Sequence, residues 1–593
     1  MPTAQTTQKK INPAYIAALL FLGVVALYYP SLLEIFFKPS VFNIDDSNLM
    51  DFILNYELKM NEIFSARGSG KYFRPVLELS NLIDQRIWGA DPFGFRMTNL
   101  LLHSANVILV YLTIRLILKS YNRSEGISIL SAVIFAVHPM AVESVAWISG
   151  RTDPLATMWG LLALFLYFSG RVNSRWYLLP LSLFCIFASA MSKEVGFAVP
   201  IIIASWEVAY SRLFRQDRNR KQILMLIISM AVIPAYFLFR SSFFNAGDMG
   251  TRLIKSGILS DIPLSISSIL ASFGFYMKKF IYPFPLEFVI ETINIPIYAL
   301  LGFIVILFLC ISFFSDSLKR YGFFLLWAVV GTAPAAMISF TDVAWTKWAE
   351  RYLYFSLVPL SVMTSMAYFE LTDKLGYEKK RTASIVGICV LLSLALATYH
   401  RSRLWNDNLS FWSDAYSKNP NSINVAVSYA NLLVQKKKID EAGKVLEHAM
   451  GLKGPKHQVL YSLGHISRNR EDFEKAEGYY KKTLVEARAD SRFVLEGARF
   501  KSRILLSIGE LKIAASGRID DDEQRKNLYL EGINYFEQAY KENPDAFLLY
   551  RIAKEYMSIG EKEKAIAYFK QYRDVSGDSI YRQAAEKLIR KLE

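Results

Sequence analysis

The pattern of hydrophobic and polar residues changes near residue 400. Up to Thr398, long apolar runs alternate with short polar stretches, and beyond Arg401 the sequence is polar, charged and helix-like. A membrane-spanning helix needs ~20 mostly apolar residues. Eleven runs are candidates: 14–36, 97–118, 127–147, 154–170, 176–191, 195–210, 222–240, 296–314, 321–339, 351–370 and 383–400. A twelfth run, 262–282, is a further candidate.

Short clusters of lysine and arginine between these runs indicate the topology, because such clusters stay on the cytoplasmic side of a membrane. With eleven spans, every cluster falls on that side: Lys9-Lys10, Lys119 with Arg123, Arg171 with Arg175, Arg212 to Lys221, Lys319-Arg320, and Lys379 to Arg381. A twelfth span would place the last clusters on the wrong side. We therefore interpret segment 241–295 as a non-cytoplasmic excursion that dips into the membrane, with Pro283 and Pro285 as helix breakers.

This topology places the N-terminus in the cytoplasm and everything after the last span outside it. The outer compartment is the periplasm if the protein is bacterial, or the lumen of the endoplasmic reticulum if it is eukaryotic. The first apolar run follows Lys9-Lys10 without a convincing cleavage site, so we expect an uncleaved span and not a removable signal peptide. We divide the chain into a membrane domain, 1–400, a connector, 401–420, and a soluble domain, 421–593.

The soluble domain contains a repeat of 34 residues. Two small residues stand 12 positions apart in each unit, and a bulky residue follows four positions later. The units are Ala430, Ala442 and Leu446; then Gly464, Ala476 and Tyr480; and finally Ala553, Ala565 and Phe569. Ala498 keeps the register of a middle unit, with an insertion of about 21 residues around 509–527. This is the tetratricopeptide pattern, which predicts an α-solenoid with a concave surface for peptides or proteins and makes the whole chain all-α.

The composition also indicates a chain with a membrane part and a soluble part. Its 593 residues are 53% hydrophobic yet 20% charged, which fits no single soluble or membrane class. The net charge of +15 is not gathered on one basic face, so we expect the lipid bilayer and not nucleic acid as a partner. Cys185, Cys310 and Cys389 fall inside apolar runs, where we expect buried core thiols without a disulfide framework.

Candidate chemistry collects at the predicted non-cytoplasmic ends of the spans. The first non-cytoplasmic loop, 37–96, carries the adjacent carboxylates Asp45 and Asp46, and Arg74 follows in the same loop. Ionisable side chains at a membrane boundary are costly to desolvate and by default mark a functional site. The others at that boundary are His138, Glu143, Arg151, Asp153, Lys193, Glu194, Glu350 and Arg351.

Each of these stretches also has a structural interpretation. Segment 138–153 is either a capped connector, with Asp153 as N-cap, or a place where Glu143 and Arg151 line a polar cavity. Lys193-Glu194 is either an interfacial ion pair or a phosphate-binding point charge. The stretch around Glu350-Arg351-Tyr352 is either an aromatic interfacial belt or part of the site. His103 and Asn106 we expect to hydrogen-bond a neighbouring helix, although His103 is also kept as cavity-lining.

In this order the motifs resemble the transmembrane and tetratricopeptide repeat-containing O-mannosyltransferases and their bacterial relatives. The matching elements are Asp45-Asp46, Tyr72-Phe73-Arg74-Pro75, Arg96 with Asn99 and His103, His138-Pro139 through Glu143 to Gly150-Arg151 and Asp153, Lys193-Glu194, and Glu350-Arg351-Tyr352-Leu353-Tyr354. Ser144 stands where the family often has alanine, Phe73 is inserted into the Tyr-Arg-Pro element, and only about four repeats follow.

The resemblance implies a C-type glycosyltransferase membrane fold and an inverting transfer from a polyprenyl- or dolichyl-phosphate-linked sugar, with mannose favoured. Asp45 or Asp46 would be the general base. Arg74, Lys193, Glu194, Glu350, Arg351 and Tyr352 would hold the donor or its phosphate, and His103, His138, Glu143, Arg151 and Asp153 would line the cavity. Some relatives with this fold use a divalent metal. Asp45 and Asp46 could bind one, but no third ligand is apparent in the sequence, so a metal site is not predicted.

Three hypotheses remain open from the sequence. The leading one is a glycosyltransferase that modifies serine or threonine of a protein held by the repeats, outside the cytoplasm. The second keeps the fold but glycosylates a lipid or envelope glycan. The third is a membrane-anchored scaffold without catalysis.

Overall fold

The computed structural model describes residues 12–32, 63, 73–89, 91–119, 124–175, 177–207, 220–243, 261–340, 346–489, 497–575 and 579–593. In these ranges the chain is helical, with one isolated antiparallel bridge between Ile290 and Trp348 and no longer strand, as an all-α chain requires. It divides into two compact units, Met1–Phe411 and Trp412–Glu593.

The first unit is built from helices joined by short turns. They are α1 (Pro13–Tyr28), α2 (Pro75–Trp88), α3 (Pro92–Ile117), α4 (Ser124–Val137), α5 (Val142–Ala146), α6 (Thr152–Val172), α7 (Leu178–Ser192), α8 (Ala198–Ser205), α9 (Arg220–Phe243), α10 (Ile262–Ile281), α11 (Ile295–Phe314), α12 (Lys319–Ile338), α13 (Tyr354–Thr372), α14 (Tyr377–Leu404) and α15 (Asn408–Lys418), the last of which crosses the unit boundary. Single turns of 3₁₀ helix precede α5, α6, α8 and α13.

Several of these helices begin where the sequence supplies both a cap and a proline. The Asp91 side chain accepts a hydrogen bond from the Phe93 amide, and Pro92 occupies the first helical position of α3. Asp261 and Asn294 cap α10 and α11 in the same way, each with a proline in the first turn. A capping oxygen satisfies an amide that has no partner in the helix, and proline there loses no hydrogen bond.

Six described helical segments are long and apolar enough to cross a membrane, and a seventh is obtained if the bent pair α4–α5 counts as one span. The six include α3, α6, α11, α12, α13 and α14. Each of the eleven predicted runs overlaps a helix, but α1, α7 and α8 are shorter than a full span, and so is the apolar part of α9, Leu226–Ser242. These helices support a helical membrane protein, and the count of eleven spans stays a prediction.

Helix α10 lies within the segment interpreted as an excursion. It is a regular helix packed against α11, and the two backbones meet where neither has a side chain: a Cβ on Gly302 would lie 1.8 Å from the Leu270 oxygen, and one on Gly274 would lie 2.0 Å from the Tyr298 oxygen. The helix ends before Pro283 and Pro285, as the sequence predicted.

The expectation of three buried thiols is wrong for two of them. Cys185 is buried between helices, whereas Cys310 on α11 and Cys389 on α14 are exposed. Both helices turn most of their surface outward, since only 17% of the apolar window of α11 and 6% of that of α14 is buried. An apolar run in a membrane protein does not distinguish a core position from one that faces lipid.

The second unit continues with paired helices. They are α16 (Ile423–Gln435), α17 (Ile439–Gly451), α18 (His457–Asn469), α19 (Phe473–Ala489), α20 (Gly497–Ser516), α21 (Asp522–Glu542), α22 (Ala546–Ser558), α23 (Lys562–Val575) and α24 (Ser579–Leu592).

The predicted small and bulky positions of the first, second and last repeat units are buried. Every such residue of the first and last units is fully buried, and a Cβ on Gly464 would lie 2.4 Å from the Tyr480 ring. The bulky residue therefore fills the space that the small residue leaves, which is the packing that the repeat pattern predicts.

The middle unit differs from the prediction. Ala498 is exposed, and the close contact is made by Gly509, whose Cβ would lie 2.6 Å from the Phe536 ring and 2.7 Å from the Gly532 oxygen. The small pair is thus Gly509 and Gly532, with Phe536 four positions later. The extra residues lengthen α20 and α21 to 20 and 21 residues, so they extend a helical hairpin and do not form a separate loop.

Replacing Gly464 with alanine should destabilise the repeat unit by about 1–3 kcal/mol, because the added methyl overpacks against Tyr480. Native-state hydrogen exchange of the α18 and α19 amides in the full chain measures this. Gly478→Ala is the matched control, since nothing lies within 4 Å of its Cβ position. It should stabilise the helix by about 0.5–1 kcal/mol. Equal effects at both positions would contradict the packing described.

The carboxylate of Glu510 gives the repeat unit a predicted pH dependence. Burial raises the pKa of Glu510, but hydrogen bonds and charge from Arg551 and Arg468, at 2.7 and 2.6 Å, lower the pKa below its usual value overall. The stabilisation is therefore present above the unfolded-state pKa and lost as pH falls through the folded-state pKa.

Unfolding of the repeat unit, followed by hydrogen exchange between pH 7 and pH 3, should show this loss. All three side chains are partly exposed, so we expect each pair to contribute no more than about 1 kcal/mol. Glu510→Gln should flatten this part of the profile. An unchanged slope in the variant would exclude Glu510 as its source.

Candidate functional site

Polar and charged side chains gather where alternating helix ends of the first unit meet. The C-terminal ends of α4, α7, α10 and α14 meet the N-terminal ends of α3, α6, α8 and α13 there. The described members of the predicted boundary set lie at this end, whereas Asp45 and Asp46 are outside the described residues.

Arg351 and Glu143 form the first ion pair at this end. The Arg351 guanidinium contacts a Glu143 carboxylate oxygen, and the Arg351 amide donates to the other oxygen at 3.0 Å. The guanidinium also lies 5.1 Å from the Trp147 ring centroid and 4.9 Å from that of Tyr352. The backbone amide anchors the carboxylate, and one bond to that carboxylate together with two flanking rings holds the guanidinium in place.

Lys193 forms the second pair, with Asp153. The Lys193 ammonium donates to Asp153 at 2.6 Å and lies 5.3 Å from the same Tyr352 ring that Arg351 contacts. The interpretation of Asp153 as a helix N-cap is wrong. Helix α6 begins at Thr152, so Asp153 lies in its first turn and pairs with Lys193.

Arg74 forms the third pair, with Glu194, at 2.8 Å. We call Arg74, Lys193 and Arg351 the cation row. Their side chains are 14%, 13% and 15% exposed, so all three are largely desolvated yet reachable from outside. Each is held by one carboxylate. Such cations are preorganised and sit in a medium where their charge acts strongly.

Glu350 pairs with two cations that the sequence analysis missed. Its carboxylate lies 3.4 Å from the Lys279 nitrogen and 3.6 Å from an Arg401 nitrogen, and it accepts from the Glu287 amide at 2.6 Å. We call Lys279, Glu350 and Arg401 the buried triad, since all three are buried. Lys279 lies inside the apolar run 262–282, and Arg401 directly follows the run 383–400. A charged residue at such a position could have indicated that both are functional or structural contacts.

Arg151 is fully buried. Its guanidinium forms a salt bridge with Asp84 at 2.5 Å and donates to Asn99 at 2.8 Å and to the Phe95 carbonyl at 2.7 Å. It also donates to Ser80 and Asn81. These contacts fasten α2 and α3 to the start of α6, and the predicted cavity-lining role of Arg151 stays a prediction.

The three polar residues His138, His103 and Asn106 also make structural contacts. His138 accepts from the Met140 amide through Nδ1, so its Nε2 carries the proton and donates to the Phe280 carbonyl at 2.9 Å. His103 and Asn106 both bond the Tyr354 hydroxyl, at 2.7 and 3.2 Å. The predicted bond to a neighbouring helix is confirmed for both.

Asp45, Asp46 and Tyr72 lie outside the described residues. Among the residues that are described, no group of three or more His, Cys, Asp or Glu side chains is placed to hold a metal ion. Glu78, which the sequence analysis missed, is a buried carboxyl on α2 near Arg74. Burial raises its pKa to about 7, against the lowering effects of an Asn81 hydrogen bond and the Arg74 charge.

Removing the Arg151 charge should destabilise the first unit by about 3–5 kcal/mol, because Asp84 would remain buried without a counterion. Arg151→Met tests this, and Arg151→Met combined with Asp84→Asn should recover part of the loss. Thiol reactivity of Cys185 on heating in detergent reports unfolding, in a background where the exposed Cys310 and Cys389 are serine. A double variant no more stable than Arg151→Met would contradict the pairing.

Comparison with known proteins gives one family match and several relatives. The family described as tetratricopeptide repeat matches residues 548–572, which lie in α22 and α23. Among solved structures, the APC/C hetero-tetramer Cut9-Hcn1 aligns with 90% of this chain and 99% of that chain at 12% identity. The TM-score of this alignment is 0.25.

A protein O-mannosyl-transferase of Caenorhabditis elegans is 24% identical over 379 residues, 62% of this chain and 52% of that protein. Human protein O-mannosyl-transferase TMTC3 is 22% identical over 526 residues, 80% of this chain and 55% of its own length. Human TMTC2 is 31% identical over 203 residues, 33% of this chain and 23% of its own length. The chain spans about half the length of the first two. Its homologues are therefore protein O-mannosyl-transferases, in agreement with the motifs of the sequence.

Proposed function

We propose that the chain is a membrane glycosyltransferase of the C-type fold. It moves a sugar, with mannose favoured, from a polyprenyl- or dolichyl-phosphate-linked donor to a serine or threonine hydroxyl of a protein. The observation that carries the proposal is the cation row at one end of the helices. The similarity to proteins named O-mannosyl-transferases supports the same reaction class.

The leaving group explains why the site needs cations. When the bond between the anomeric carbon and the phosphate oxygen breaks, the lipid phosphate takes the electron pair and gains negative charge. Fixed cations in a poorly hydrated site stabilise that developing charge. Arg351 supplies a planar guanidinium suited to two phosphate oxygens, whereas Lys193 supplies a point charge.

Lys193 has the simplest geometry for contacting phosphate. An ammonium has three N–H donors, and among the described residues Lys193 gives one hydrogen bond, to Asp153. Two donors remain for phosphate oxygens. Asp153, Glu194 and Glu143 then act as positioning residues, because they hold the cations in place before the donor arrives.

The general base is proposed to be Asp45 or Asp46. The carboxylate takes the proton of the acceptor hydroxyl as its oxygen attacks the anomeric carbon, on the side opposite the phosphate. One displacement of this kind inverts the configuration of that carbon. A carboxylate is a weak base, so the proton moves late, when the hydroxyl oxygen has already lost electron density.

The eleven-span topology places this site on the non-cytoplasmic side, and the opposite helix ends support that assignment. There a glutamate binds both an arginine and a tyrosine in three places: Glu125 with Arg115 and Tyr111, Glu207 with Arg171 and Tyr167, and Glu370 with Arg320 and Tyr321. Arg171 and Arg320 belong to the basic clusters that the positive-inside rule assigns to the cytoplasm.

The repeat unit is proposed to hold the protein acceptor, because tetratricopeptide arrays present concave surfaces for peptides. The alternative acceptor is a lipid or an envelope glycan, and one experiment distinguishes it from a protein acceptor. Exchanging the repeat unit for another array should change protein acceptors but leave transfer to a glycolipid intact.

Neutralising the cation row should slow sugar transfer. The assay uses purified protein in lipid nanodiscs with a panel of polyprenyl-phosphate sugars and measures released lipid phosphate. Arg351→Gln and Lys193→Gln should each lower kcat by about 10²–10³-fold, since each removes one fixed charge from the leaving group. Asp45→Asn or Asp46→Asn should abolish transfer in one of the two variants and thereby name the base.

Arg320→Gln is the matched control, because Arg320 is also a partly buried arginine paired with a glutamate, at the opposite helix end. Its transfer rate should equal that of the wild type. Loss of transfer in this control as well would show that charge removal acts through folding. A wild type that releases no lipid phosphate with any donor and acceptor would favour the scaffold hypothesis.

A further inference from the structure

Helix α2 buries three polar side chains beside Leu82, and it exposes three apolar side chains. Glu78, Asn81 and Asp84 are buried, whereas Leu79, Ile83 and Ile87 are exposed. The exposed residues recur every four positions, so they form one stripe along the helix. A helix that packs against a protein core in water shows the reverse arrangement.

The buried polar face is fixed by specific partners. Asp84 binds Arg151 at 2.5 Å and accepts from the Thr98 hydroxyl at 2.8 Å. Asn81 accepts from Arg151, and Glu78 hydrogen-bonds Asn81. These contacts hold α2 in one rotational setting, so the apolar stripe faces outward as part of the fold.

The position of α2 indicates what the stripe contacts. Its 14 residues rise ~21 Å, too short to cross the ~30 Å hydrocarbon core. Gly89, with φ of +63°, ends α2, and the apolar helix α3 begins three residues later. Arg86 and Trp88 are exposed on the last turn, and such residues are enriched at the membrane interface.

We infer that α2 lies in the membrane interface with Leu79, Ile83 and Ile87 in the hydrocarbon boundary of the bilayer. The occupant of the stripe is lipid. The same arrangement ties the depth of Arg74, which immediately precedes α2, to the surface of the membrane. The use of this depth rests on the proposed function, because a cation at the membrane surface is needed there only if the phosphate it binds is carried by a lipid.

The experiment places a label at Ile83 and measures quenching by lipid. Full-length protein with Cys185, Cys310 and Cys389 changed to alanine receives one cysteine, Ile83→Cys, and an environment-sensitive fluorophore. It is reconstituted into phosphatidylcholine vesicles whose acyl chains carry bromine either near the carbonyl end or near the methyl end. We expect loss of emission with both lipids, and a larger loss with bromine near the carbonyl end.

Two positions of matched exposure serve as controls. Ile83 is 49% exposed, Phe303 on the spanning helix α11 is 53%, and Phe547 in the repeat unit is 51%. A label at Phe303→Cys should be quenched, and one at Phe547→Cys should not. The readout needs no sugar transfer, so it is independent of the proposed activity.

The inference fails if the Ile83 label behaves like the Phe547 label. It also fails if the Ile83 label emits as in an apolar medium but escapes quenching. In that case protein covers the stripe, either another part of this chain or a second molecule.

Discussion

The charged end of the first unit depends on the contacts of one buried carboxylate, that of Glu350. It is buried, and it is held by Lys279 from α10, by Arg401 from α14 and by the amide of Glu287. A buried carboxylate is tolerable only when cations and hydrogen bonds replace its water. The triad therefore fixes the start of the segment that carries Arg351, the next residue along the chain, and it fastens the last turns of α14 to the same place.

The ion pairs at this end are of two kinds, which differ in whether the cation is exposed. In the buried triad and in the Arg151–Asp84 pair, both partners are buried, and such contacts hold helices together. In the cation row, each cation keeps partial exposure while one carboxylate holds it. Removal of a partner from the first kind leaves an uncompensated buried charge. The second kind keeps each cation preorganised and partly exposed, which is what the proposed contact with a phosphate requires.

Tyr352 connects two members of the row. Lys193 and Arg351 both lie within 5.3 Å of its ring centroid, and each has its own carboxylate. The ring therefore brings two cations from different helices close together while the carboxylates limit their repulsion. The aromatic-belt interpretation of this stretch explained the ring but not this arrangement.

The sequence by itself determined that the chain is all-α, that apolar helices give way to repeats, and that charged residues collect at alternating helix ends. Those features follow from local periodicity and from the cost of desolvating charge, which act at each position separately. Only the tertiary structure decided the partners: that Arg151 is committed to Asp84, that Asp153 holds Lys193, and that Glu350 meets Lys279 and Arg401. These pairs join residues 40 to 71 positions apart, and the identity of a side chain does not specify which distant helix will lie beside it. The same reason separates Cys185 from Cys310 and Cys389, because an apolar sequence looks alike whether it faces protein or lipid.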